Sequence, residues 1–319
     1  MRTLLLLVSC LPLAAAVDGV VMNRTSGKPQ ANATVTLYSL GQAGMEAVES
    51  IKSAADGTFT IDRPADGPHV IQTAFDGVTY NHMLSPGAPR TGLQLEVFNS
   101  ASRPGAAKVD QHMVLFEPAA GEMEVTENFL WRNDGTTTYN DPDRGTLRVF
   151  LPESARSQRV MATAPRGMPI ERALEKTNQP NVYSIDFPIK PGETSVQVTY
   201  KLPFQSPAAF ESRVLHNGGR TSLIAPVGVE LAGEGLLPRG QEPRTQASIF
   251  EVKAPAYKVE ISGTGALRAA AAAAEESSGP RIAPLMPKVY DRLVLLLVLS
   301  LAILALGFTL MFRAAKERR

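Results

Sequence analysis

Residues Glu122–Arg132 read EMEVTENFLWR and alternate from end to end. In an extended chain Met123, Val125, Glu127, Phe129 and Trp131 share one face, while Glu124, Thr126, Asn128, Leu130 and Arg132 share the other. A period of two sustained over this length marks a β-strand with one face in a core, because successive side chains point to opposite sides. Trp131, the only tryptophan, shares its face with Val125 and Phe129 and reads as core packing. The next residues, Asn133-Asp134-Gly135, carry a hairpin signal.

The same grammar extends in both directions. Downstream, Thr146–Leu151, Asn181–Ile189, Thr194–Leu202, Thr221–Ala225, Ser248–Lys253 and Lys258–Ile261 read as strands, and upstream Val109–Phe116 does. Residues 17 to about 97 show no helical period. Instead Val17–Met22, Thr34–Leu40, Glu46–Ser53, Thr58–Ile61, His69–Phe75, Val78–Met83 and Leu93–Phe98 are short extended runs, parted by turns such as Asp56-Gly57 and Asp76-Gly77. The expected fold class is all-β, as two tandem β-sandwiches over residues 17–98 and 107–262, joined by a linker at 99–106.

The first of these regions resembles a known family. Gly19-Val20-Val21, Ser26-Gly27-Lys28-Pro29, Ala33-Thr34-Val35-Thr36-Leu37, Ser53 with Asp56-Gly57-Thr58-Phe59, and Gly67-Pro68-His69-Val70 are similar to the motifs of the carboxypeptidase regulatory-like module. His69 stands near the family's usual aromatic, and the threonine of the fourth block is displaced. The resemblance covers about eighty residues and implies a transthyretin-like, carbohydrate-binding-like sandwich without peptidase chemistry of its own. More loosely, Glu122–Trp131, Gly145–Pro152 and Glu193–Pro203 resemble elements of bacterial membrane-tethered proteins that pair this module with a second sandwich. That similarity implies a bacterial source.

The ends of the chain set an expected topology. Leu293–Phe312, LVLLLVLSLAILALGFTLMF, holds twenty uncharged residues between Arg292 and Arg313. As a helix it would be about 30 Å long, the thickness of a bilayer's hydrocarbon core. Met1-Arg2, the apolar run Thr3–Leu13 and Ala14-Ala15-Ala16 read as a signal peptide over residues 1–16, removed by signal peptidase. Leu7-Val8-Ser9-Cys10 also matches a bacterial lipobox, although only about five apolar residues precede it, fewer than an h-region usually has. Both routes of processing stay open. Residues 263–292 are an Ala- and Pro-rich stalk, and residues 313–319 a basic tail. The positive-inside rule puts that tail in the cytoplasm and the sandwiches outside, in the periplasm or beyond.

Composition narrows the function classes. The chain is formally +1, of which Arg2 contributes +1 and the tail +3, leaving −3 for Val17–Arg292. A mildly acidic ectodomain argues against a nucleic-acid partner. Cys10 is the only cysteine, so removal of the signal excludes disulfides, thiol catalysis and cysteine-ligated metal. His69, His82, His112 and His216 show no zinc-site spacing, and G-x-S-x-G is absent. No catalytic residue and no cofactor is expected.

Three features remain to be weighed. His82-Met83 and His112-Met113 combine ligands that suit copper, but neighbours on a strand face opposite ways, and methionine routinely fills cores. Tyr38, Phe75, Tyr80, Phe129, Trp131, Tyr139, Tyr183 and Tyr200 would serve a sugar-stacking platform or, more simply, core packing. Asn23-Arg24-Thr25 and Asn32-Ala33-Thr34 are sequons that matter only in a eukaryotic secretory pathway. The expected function is a non-enzymatic module, anchored by Leu293–Phe312 in the bacterial cytoplasmic membrane, that docks a membrane or periplasmic protein. The alternatives are a carbohydrate or cell-wall binding module, and copper handling through the His-Met pairs.

Overall fold

The computed structural model describes residues 17–41, 44–63, 65 and 67–267. The signal peptide with Cys10, the stalk beyond residue 267, the Leu293–Phe312 stretch and the tail lie outside the described residues. No helix among the described residues is long and apolar enough to cross a membrane. The described chain is all-β, built as several sheets.

The first eight strands are β1 (Val17–Asn23), β2 (Lys28–Pro29), β3 (Thr34–Gly41), β4 (Gly44–Lys52), β5 (Thr58–Ile61), β6 (His69–Phe75), β7 (Val78–Leu84) and β8 (Leu93–Val97). They form two sheets. One runs β2-β1-β5 with β8 parallel to β1, and the other runs β4-β3-β6-β7. Alternation decides what each strand buries: Val35 and Leu37 of β3 are fully buried while their neighbours Thr34, Thr36 and Tyr38 are not. Val17, Val21, Phe59, Ile61, Ile71, Leu84 and Leu95 complete one apolar cluster between the sheets. Gly57 makes the tight turn into β5 at φ 79°, and a Cβ there would stand 2.7 Å from Pro29 Cβ. Only glycine fits a turn of that hand against that neighbour.

The remaining strands are β9 (Ser100–Ala101), β10 (Ala107–Pro118), β11 (Gly121–Asn133), β12 (Thr138–Tyr139), β13 (Leu147–Phe150), β14 (Arg156–Thr163), β15 (Ile170–Arg172) and β16 (Glu175–Lys176). They continue as β17 (Val182–Ile185), β18 (Gly192–Phe204), β19 (Ala208–Arg213), β20 (Arg220–Ala225), β21 (Val229–Ala232), β22 (Leu236–Gln241), β23 (Ser248–Val252) and β24 (Ala256–Gly263). An eight-stranded sheet, β15-β14-β18-β11-β10-β20-β23-β22, is built around the long strands β10, β11 and β18. The sheets β13-β17-β16 and β19-β24-β21 pack on its inner face. Leu147, Val149, Ile185, Phe210, Val259 and Ile261 from those sheets join Val114, Phe116, Val125, Val198 and Leu223 in one cluster. Phe116 and Phe210 meet edge to face, 4.9 Å between centroids.

One reading of the chain needs correction. Asn133-Asp134-Gly135 turns the chain, with Gly135 N–H donating to Asn133 Oδ1 at 3.0 Å, but it closes no hairpin. Strand β12 pairs in parallel with β9, and β11 instead forms its hairpin with β10 through Ala119-Ala120. Within residues 99–106, Ser100–Ala101 form the short strand β9. The parallel pairings β1–β8, β9–β12 and β10–β20 join strands far apart in sequence.

Candidate functional site

One carboxylate stands in the middle of the second core. Glu127 shares the inner face of β11 with Met123, Val125, Phe129 and Trp131 and is 2 % exposed. Register explains what surrounds it. Val114 of β10 and Val198 of β18 lie directly opposite Glu127, so His112 and Tyr200 sit one step along the flanking strands on the same face. Both side chains turn to it. The His112 Nε2 lies 3.0 Å from Glu127 Oε2, and Tyr200 Oη donates to Oε1 at 2.7 Å. The His112 ring stacks on Phe129, 4.1 Å between centroids and 15° from parallel.

The parallel pairing of β10 with β20 extends the chain of contacts outward. It sets Thr221 opposite His112, with Thr221 Oγ1 3.4 Å from His112 Nδ1. The segment just before β20 brings His216, whose Nε2 lies 3.3 Å from the same nitrogen and whose Nδ1 lies 3.1 Å from Gly218 O. Hydrogen-bond accounting bears on the state of His216. Gly218 O can only accept, so His216 Nδ1 carries a proton. Burial, aided by His112, pushes the pKa of His216 down to about 4, so at neutral pH its Nε2 is a lone pair that accepts from His112 Nδ1–H. A hydrogen bond joins His112 Nε2 to Glu127 Oε2, so the buried carboxyl group has a partner at each oxygen. Burial, and then the neighbouring Glu127, hold the Tyr200 phenol well above its usual range and also raise that of Tyr257. Both hydroxyls stay protonated.

His216 separates this interior from a surface cleft of about 700 Å³. Leu215 and His216 form one wall, and Trp131 and Tyr139 another, their centroids 6.2 Å apart. Around it stand Arg103, Lys108, Arg144 and Arg148, all exposed. Trp131 and Tyr139 are only 6 % and 8 % exposed, and Trp131 Nε1 has no hydrogen-bond partner among the described residues.

The residues singled out from sequence fare differently. His82 and Met83 are exposed on β7, and Met113 points away from buried His112, as strand alternation requires. The two His-Met pairs lie in different sheets. Among the described residues no group of three or more His, Cys, Asp or Glu is arranged to hold a metal. His69 is buried, its Nδ1 3.2 Å from Gly67 O. Of the aromatics, Tyr80, Phe129, Trp131, Tyr139 and Tyr200 are buried and Tyr38, Phe75 and Tyr183 half-buried. Asn23 of the first sequon is also buried, its amide donating to Gln30 Oε1 and Asn99 Oδ1 at 2.8 and 2.7 Å.

His82 and Met83 line a second cavity, of about 390 Å³, with Tyr80, Glu96, Arg166 and Lys190. Lys190 Nζ donates to Thr79 O at 2.5 Å and sits 4.9 Å over the Tyr80 ring. Burial lowers its pKa to about 8. Sequence reading passed over Glu127, Tyr200 as its partner, and the cleft. The signal for Glu127 was in plain view: one acid on an otherwise apolar strand face. No family model matches the chain, and a search of curated proteins finds no similar sequence.

Proposed function

We propose that this chain is a non-enzymatic interaction module, held at the outer face of a bacterial membrane by Leu293–Phe312, that docks a protein partner along a sheet edge. On this reading its strands make two tandem β-sandwiches, the first of the carboxypeptidase regulatory-like type. The observation that carries the proposal is β4. Among the described residues it is the terminal strand of its sheet, and it is exposed along nearly its whole length, with Met45 46 % and Val48 38 % exposed. Val48 is the extra residue of a bulge, since Leu37 pairs with Glu49 and Tyr38 with Ala47. An edge with free backbone N–H and C=O groups is a template for strand addition, and exposed side chains on it supply selectivity.

Half-buried Tyr38, Phe75 and Tyr183 give a glycan-binding reading less support than the edge gives protein docking. Copper handling has less again, since the His-Met pairs do not converge. The test is affinity capture from solubilised membranes with the full chain and with a Met45→Lys/Val48→Lys variant. Loss of a specific partner from the variant, with its melting temperature unchanged, is the expected result. Equal recovery by both proteins removes β4 as the docking edge, and repeated failure to recover any partner removes the proposal.

A further inference from the structure

We propose that the cleft beside His216 binds a phosphate-bearing ligand, held by Arg103, Lys108, Arg144 and Arg148. This goes beyond the docking edge, which lies on β4, and stands independently of it. The four cations come from two segments, Arg103 and Lys108 from the approach to β10 and its start, Arg144 and Arg148 from the approach to β13 and its start, which the fold brings to one cleft. None of them forms an ion pair among the described residues, although ten other pairs are present there. The concentration runs against the overall charge, because the region from Val17 to Arg292 is net −3 once Arg2 and the +3 tail are set aside from the formal +1.

Among the described residues Asp141 is the one carboxylate on the lining, and it is 8 % exposed with Oδ1 accepting the Arg144 backbone N–H at 3.2 Å. Burial and then Asp141 raise the pKa of the Tyr139 phenol in the wall, and the charges of Arg148 and Arg144 act against them. Converging like charges oppose folding unless an anion joins them.

The chemistry of the lining selects the ligand class. Trp131 and Tyr139 have their ring faces packed away, so they wall the cleft and offer no stacking surface. Recognition rests on charge. A monocarboxylate would answer one of four cations, whereas a phosphate ester brings close to two negative charges and three strong acceptor oxygens. Guanidinium groups match such oxygens in pairs. A cleft of about 700 Å³ is within the range of small-molecule sites. A soluble phosphorylated metabolite and a phospholipid headgroup both carry this chemistry.

Trp131 lines the cleft and is the only tryptophan in the chain, so its emission reports occupancy. The full chain in neutral detergent micelles is titrated with sn-glycerol 3-phosphate, and separately with phosphatidic acid doped into the micelles. Isothermal titration calorimetry runs in parallel in case emission is insensitive. The expected result is saturable binding of at least one probe, weakened by salt and weakened about tenfold or more by Arg144→Gln/Arg148→Gln. Both are exposed and their removal relieves like-charge repulsion, so the ligand-free variant should melt no lower than the parent. Binding of glycerol phosphate supports a soluble ester, and binding of phosphatidic acid alone supports a lipid headgroup. Absence of saturable binding for both probes by both methods, or unchanged affinity in the variant, overturns the proposal.

Discussion

At Glu127 the cost of a buried carboxylate is met by two partners, His112 and Tyr200. Removing the acid orphans both. Glu127→Ala should lower unfolding free energy by about 3–5 kcal/mol, the range for breaking a buried pair from one side. Glu127→Gln should cost only about 1 kcal/mol, because its amide group can still pair with His112 Nε2 while its oxygen accepts from Tyr200. Urea unfolding followed by Trp131 emission measures both, and equal losses would refute the pairing of both carboxyl oxygens. His216 adds a pH dependence. Its pKa is about 4 in the folded chain against an ordinary 6.5, so the folded state binds fewer protons between those values. Its contribution is complete above pH 6.5 and is lost as pH falls toward 4. His112 and Glu127 face it from within and the cleft cations from outside, so the test compares His216→Gln with the parent: the urea midpoint of the variant should fall less between pH 7 and 4.5. Little of this was legible residue by residue. The inward face of Glu127 follows from alternation, but the meeting of His112 with His216 depends on a parallel pairing that spans about a hundred residues of chain.

Strands were legible where alternation was long and apolar on one side, as in β3, β11 and β18. Strand β14 was not, because Arg156–Arg159 are exposed and only Val160 and Ala162 mark an inward face. Its place beside β18 comes from the neighbour's unpaired edge rather than from its own pattern. Strand β19 was missed for a similar reason: of its six residues only Phe210 and Ser212 are buried. Turn chemistry divided the same way. Asp56-Gly57 correctly marked a tight turn, and Gly57→Ala should cost about 1–3 kcal/mol from left-handed strain, with more from the contact at Pro29. A loss below 0.5 kcal/mol by urea unfolding would show that the turn relaxes. Asn133-Asp134-Gly135 carried an equally good turn signal, yet a turn sets only a change of direction. Which strands pair afterwards is decided by the cores.

Across the molecule, the two cores are tied together by more than the chain between them. Strand β9 pairs with β12, Tyr80 Oη shares hydrogen bonds with Phe98 O and Thr138 Oγ1 at 3.0 and 2.9 Å, and Lys190 reaches Thr79 O. Tyr80→Phe should therefore cost about 1–3 kcal/mol despite keeping the ring, since Thr138 is fully buried and loses its partner. Differential scanning calorimetry reads that loss, and an unchanged profile would show the tie to be incidental. None of these ties could be read from residues 99–106, whose Ser, Pro and Gly content resembles a flexible connection. The docking proposal joins the scales, because it needs the β4 edge exposed, the sandwiches outside the membrane and a partner within reach. The most direct test places a photo-activatable amino acid at Val48 in the full chain and irradiates intact cells. The account predicts a discrete crosslinked partner at Val48 that is absent when the probe sits at exposed Val227. No product at Val48, or the same products at both positions, would contradict it.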